Sequence, residues 1–180
     1  MKSLMKKLGA GLCAAAMVVS FAGCSENGST NNASDNSSSD SGSAVFKIGG
    51  IGPVTGGAAV YGQAVKNAAE LAADEINEAG GINGAKIEFK FEDDVHDAEK
   101  SVNAYNTLKD WGMQILMGTV TSTPCQAVVE ETHKDGMFQL TPSGSAVESI
   151  KYDNAFRVCF SDPNQGVGSA DYFAEHFPDA

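Results

Sequence analysis

From Val45 onward the hydrophobic positions switch between a period of two and a period of three to four, the alternation of an α/β domain with a mainly parallel sheet. Phe46 to Ile51 reads as a first strand and runs into the glycine-rich loop Gly52-Pro53-Val54-Thr55-Gly56-Gly57. A helix is predicted over Ala58 to Ala79, where Val65, Ala69, Ala72 and Ile76 recur at helical spacing and Gly80-Gly81 ends the run. In the second strand, Lys86 to Glu92, the apolar Ile87, Phe89 and Phe91 alternate with Glu88, Lys90 and Glu92. Such a strand has one less covered face and is expected at the outside of the sheet.

A second helix is predicted from an N-cap at Asp97 to Trp111. The pattern continues with a strand at Gln114 to Gly118, a helix at Pro124 to Lys134 and a strand at Met137 to Thr141. A fifth strand, Phe156 to Phe160, and a last helix, Asn164 to His176, complete the order. Residues 45–180 are thus expected to form one α/β unit, a mainly parallel sheet with helices on both faces.

The chain before Val45 has a different character. Lys2, Lys6 and Lys7 precede an apolar stretch from Leu8 to Phe21, followed by Ala22-Gly23-Cys24. A basic start, an apolar middle and small residues before a cleavage point are the three parts of an export signal. Cys24 directly after Ala22-Gly23 resembles the bacterial lipobox, with Phe21 where that motif usually carries Leu, Val or Ile. Residues 1–23 are therefore read as a lipoprotein signal peptide and Cys24 as the lipid attachment point, so that the exported protein is anchored to the outer face of the cell membrane or is periplasmic. The apolar run is too short to span a bilayer, which needs roughly 20 residues. Residues 24–44, rich in Ser, Asn, Gly and Asp, have almost nothing to bury and read as a disordered tether. At about 20 residues its end-to-end distance would be on the order of 25 Å.

Removing residues 1–23 takes away three Lys and no acid, so the formal charge moves from −11 to about −14. Nucleic-acid recognition needs a basic face to displace counterions, and Arg157 is the only Arg in the chain. Nucleic acid is excluded as a partner, and the acidic surface is read as a source of solubility. With Cys13 in the signal and Cys24 lipidated, only Cys125 and Cys159 remain; they could pair outside the cell, but two free, mostly buried thiols are the preferred reading. No Cys/His spacing of the zinc type occurs, so no structural metal is expected.

In parallel α/β sheets the loops at the carboxyl ends of the strands line the ligand crevice. The first such loop, Gly52 to Gly57, lacks both the Lys-Ser/Thr of a nucleotide loop and the third Gly of a dinucleotide fingerprint, so no nucleotide cofactor is expected. Tyr61, just beyond it, either covers an apolar ligand or packs on the surface. The second loop, Thr119-Val120-Thr121-Ser122-Thr123-Pro124, is expected to start its helix at Pro124, with Thr123 and Gln126 forming a capping box. Thr121 and Ser122 are then left beside unpaired N–H groups at a positive helix end, a setting that would hold a carboxylate without a charged side chain. The alternative is a hydroxyl-rich turn with local hydrogen bonds only. The third loop, Thr141-Pro142-Ser143-Gly144-Ser145-Ala146, adds two more hydroxyls next to it. Between these loops the sequence offers no base or nucleophile. The acidic stretch Glu92-Asp93-Asp94-Val95-His96-Asp97 matches no calcium or zinc spacing, and His133 belongs to no triad, so no metal site and no catalysis are expected.

Lys47-Ile48-Gly49 with Gly52-Pro53 and Tyr61-Gly62, Ala79-Gly80-Gly81-Ile82-Asn83-Gly84, Glu92-Asp93-Asp94 and Thr141-Pro142 together resemble the branched-chain amino-acid binding proteins. These are the substrate-binding subunits of ABC importers with the type I periplasmic-binding fold, two α/β lobes that close on a ligand. The resemblance implies that this chain carries most of the N-terminal lobe and works with ABC permease subunits. By position in the motif, Ser122 would take the ligand carboxylate, Ser145 the polar head, and the carbonyl of Ser143 the ammonium. Tyr61 and Val120 would flank the ligand side chain, with Thr121 in the same loop. Some members join the positions of His96 and Thr121 by a disulfide; this chain has neither Cys, which implies a less rigid pocket wall.

The chain stops at Ala180, soon after the helix that precedes the second lobe in the family, and is therefore expected to be an N-terminal fragment. The expected function is an extracellular receptor for a small amino acid, branched-chain by preference, or an amide, delivered to a permease. The rival expectation is a sensing domain of a signalling system with the same fold.

Overall fold

The computed structural model describes residues 44–179. The expected signal segment and Cys24 lie outside the described residues, as does all of the expected tether except Ala44. Five strands and four α-helices follow one another: β1 (Val45–Gly52), α1 (Ala59–Glu78), β2 (Lys86–Asp93), α2 (Ala98–Asp110) and β3 (Ile115–Gly118). Then come α3 (Ser122–Asp135), β4 (Gln139–Thr141), β5 (Ala155–Arg157) and α4 (Asp162–His176). The strands form one sheet in the order β2-β1-β3-β4-β5, every neighbouring pair parallel. As expected, β2 lies at an edge. The order reverses at β1, whose neighbours are β2 on one side and β3 on the other; ligands of open α/β sheets bind at this switch point, beyond the carboxyl ends of the strands.

The side-chain period of two divides the sheet into unequal faces. Ile51 and Leu116 point to the side of α2 and α3, where Tyr105, Leu108, Met113 and Val128 close a core with almost no exposed surface. The register places Ile48, Phe89, Ile115, Phe138 and Phe156 on the other side. There α1 meets β2 and β1 but leaves a groove of about 400 Å³ against Ile48, Ile87, Phe89 and Met117. The helix positions read as its apolar face, Val65, Ala69, Ala72 and Ile76, all line that groove. Over β3, β4 and β5 the same face is open, with Ile115, Phe138 and Phe156 exposed at 37, 42 and 49%.

Several boundaries depart from expectation, and three of these departures have a local reason. The fifth strand ends at Arg157 because β4, its one partner among the described residues, is three residues long; the Val158 N–H makes one last bond to the Thr141 carbonyl. Ser161 then caps α4 by accepting from the Asn164 N–H. Helix α3 starts at Ser122, so Pro124 is its third residue, where no intrahelical N–H is needed. The N-cap is Thr121, in extended conformation and without a side-chain cap, which replaces the capping box expected at Thr123 and Gln126. Between β4 and β5 the chain makes an unforeseen 3-10 turn, Val147–Ile150.

Candidate functional site

At the carboxyl edge the loops are tied to one another by side chains. The first loop is held by Asp93, the last residue of β2. Its carboxylate accepts from the Val54 N–H (2.9 Å), the Thr55 hydroxyl (2.5 Å) and the Val95 N–H (2.9 Å). Burial works against ionisation of Asp93, but these hydrogen bonds outweigh it and hold the carboxyl below its ordinary range. The loop begins at Gly52 because Val120 packs directly over it: a Cβ there would stand 2.4 Å from Val120 Cγ2.

After β2 the chain turns through Val95 and His96, both left-handed with φ of 52° and 62°. Asp93 and Asp94 stabilise this unfavourable backbone by accepting from the N–H two residues on, in each case at 2.8–2.9 Å. The turn aims His96 at the next loop, where its Nδ1 lies 2.9 Å from the Thr121 hydroxyl. A hydrogen bond thus joins the two positions for which the family resemblance implied a possible disulfide. Asp94 is fully buried, and its second carboxylate oxygen has no partner among the described residues. Burial, then the charges of Asp93 and Asp97, push its carboxyl up, against the pull of the His96 N–H.

The second and third loops are joined most closely. Thr141 donates to the Thr119 carbonyl (2.7 Å) and accepts from the Gly144 N–H (2.9 Å), while the Ser143 hydroxyl donates to the Val120 carbonyl (2.5 Å). Ser122 accepts from the Ala146 N–H at 3.2 Å, which leaves its hydroxyl proton free to donate. Arg157, on β5, supports the third loop from behind: its Nη1 lies 3.3, 3.0 and 2.9 Å from the carbonyls of Gly144, Ser145 and Ala146.

Of the residues singled out in the sequence, Val120, Thr121, Ser122, Ser143 and Ser145 are thus brought into two adjacent, mutually bonded loops. Thr121, Ser122 and Ser145 are half-buried and Ser143 is exposed. Val120 is 1% exposed and supports Gly52 from within the fold, so its side chain presents no open wall. Tyr61 stands apart on the first turn of α1, 63% exposed, and its hydroxyl makes no hydrogen bond among the described residues. Asp93 and Arg157 carry much of the architecture and were not singled out as site residues. Arg157 had one visible signal, being the sole Arg; Asp93 stood in an acidic stretch that matches no metal spacing and in the Glu92-Asp93-Asp94 motif of the family resemblance.

Chemically, the arrangement offers a hydroxyl proton at Ser122 and the amino end of α3, whose first N–H groups have no intrahelical acceptor. Both favour a carboxylate. The closest approach to a nucleophile and base is Thr121 with His96, and no carboxylate side chain bonds that imidazole among the described residues. No group of three or more metal-binding side chains occurs among them either.

The sequence profile of the family described as periplasmic binding protein matches residues 45–179. The chain belongs to that family. It is similar to the Leu/Ile/Val-binding protein BraC3 of Rhizobium johnstonii, 36% identical over 134 residues. It is also similar to the leucine-, isoleucine-, valine-, threonine- and alanine-binding protein of Pseudomonas aeruginosa, 35% identical over 135 residues. These matches cover 73 and 74% of this chain and 36% of each relative. Among solved structures the fold matches LivJ of Streptococcus pneumoniae, a branched-chain amino acid transporter substrate-binding protein in complex with isoleucine. The TM-score is 0.68 at 31% identity, over 73% of this chain and 38% of LivJ. An ABC transporter substrate-binding protein from Desulfitobacterium hafniense in complex with Leu matches with a TM-score of 0.66 at 26% identity, over 74% of this chain and 39% of that one. The chain therefore spans little more than a third of the length of these relatives.

Proposed function

We propose that this chain supplies the N-terminal ligand-binding lobe of an exported receptor for a small amino acid, branched-chain by preference, or a related amide. The receptor delivers its ligand to ABC permease subunits and does no chemistry on it. Residues 1–23 are its signal peptide, Cys24 its lipid anchor on the outer face of the membrane, and 24–44 its tether. The observation that carries the reading is Ser122 at the amino end of α3, its proton free and its oxygen fixed by the Ala146 N–H. It is supported by similarity to relatives solved with isoleucine and leucine.

In this reading the ligand carboxylate lies at Ser122 and the first N–H groups of α3, and Ser145 binds the polar head. The Ser143 carbonyl accepts from the ammonium, Tyr61 covers the apolar side chain, and Val120 and Thr121 back the site. One lobe encloses too little: pockets commonly bury about 70–90% of a small ligand, so closure requires a second lobe.

The test is uptake of labelled leucine, isoleucine and valine by cells with and without the gene. Transport predicts that uptake of at least one falls on deletion and returns with the intact gene. Unchanged uptake of all three, with loss of an amino-acid-dependent response, would replace transport by sensing.

A further inference from the structure

We infer that Arg157 is the positioning residue that orients the third loop and, through it, the proton of Ser122; this rests on the proposed ligand role of Ser122 and Ser145. Arg157 ends the edge strand β5 and is half-buried. It forms no ion pair among the described residues, in a chain of net charge −11. Its Nη1 instead faces three consecutive carbonyls, those of Gly144, Ser145 and Ala146. Three carbonyl dipoles converging on one point repel one another unless a cation stands there, and a guanidinium is always charged. Holding these carbonyls toward β5 turns the loop's N–H groups the opposite way.

One of those N–H groups is that of Ala146, which donates to Ser122 Oγ at 3.2 Å. That bond occupies a lone pair of the serine oxygen and leaves its proton to be donated elsewhere. The Ser145 carbonyl also accepts from the Asp162 N–H at 3.1 Å, so the loop is fixed from α4 as well. Arg157 therefore touches no ligand. It acts two bonds away, by setting the direction in which Ser122 and Ser145 present their polar atoms.

The experiment is a double-mutant cycle between Arg157→Ala and Ser122→Ala in the native protein as its own cells make it, reading isoleucine affinity by calorimetry and stability by thermal unfolding. Arg157→Ala is expected to weaken binding tenfold or more, yet by less than threefold when Ser122 is already Ala. Arg157→Lys keeps the charge but loses the planar fork, and is expected to fold and bind with intermediate affinity; it decides the matter if the Ala variant does not fold. Equal affinity of wild type and both Arg157 variants would overturn the inference alone. So would full additivity in the cycle, the mark of a merely structural role. A folded wild type that binds no isoleucine would overturn it together with the reading on which it rests.

Discussion

At the scale of single residues, the two carboxylates at the end of β2 have opposite relations to pH. Asp93 sits below its ordinary range, so its ties to Val54, Thr55 and Val95 contribute stability above about pH 4, lost as acid protonates the folded form. Asp94 is displaced upward by burial, so its ionised form destabilises the fold at neutral pH. That penalty is relieved as pH falls through the raised value toward the unfolded one. Asp94→Asn retains an oxygen for the His96 N–H and removes the charge. Relative to wild type, its urea stability is expected to be more favourable at pH 7 than at pH 4; a difference independent of pH would show that Asp94 does not titrate in this way.

At the scale of elements, the first loop and α1 are joined by contact too close for a side chain. Gly62 lies against Pro53 with no room for a methyl group, since a Cβ would fall 1.8 Å from the Pro53 carbonyl oxygen. Gly62→Ala should gain a little helix propensity and lose far more to this clash, a net cost of roughly 1–3 kcal/mol in urea unfolding. An unchanged midpoint would mean that α1 rides freely on the loop. The elements themselves were legible because periodicity reports burial directly: the edge position of β2 followed from its charged alternate residues. The start of α3 was not, because Thr121, Ser122 and Thr123 are chemically similar as caps. Thr121 takes the N-cap position without a side-chain cap, its hydroxyl meeting instead the imidazole of His96, 25 positions away.

At the scale of the whole molecule, periodicity predicted which face of α1 turns inward but not how much it buries. Val65, Ala69, Ala72 and Ile76 all face the sheet, yet they line an open groove rather than a closed core. The two hydroxyl loops were legible as a candidate site because hydroxyls beside a helix start are a local pattern. Their supports were not: Asp93, His96 and Arg157 reach them across strands, through contacts that no spacing along the chain encodes. The candidate site is in this sense a property of the sheet order, which sets the loops after β1, β3 and β4 side by side at the switch point.

The central claim is that these loops recognise the carboxylate end of a small amino acid, and its most direct test is calorimetric titration of the native protein, purified from its own cells, with isoleucine, alongside Ser122→Ala. The account predicts saturable binding that Ser122→Ala weakens at least tenfold. A folded protein that binds none of leucine, isoleucine and valine, or that binds them equally well without the Ser122 hydroxyl, would contradict it.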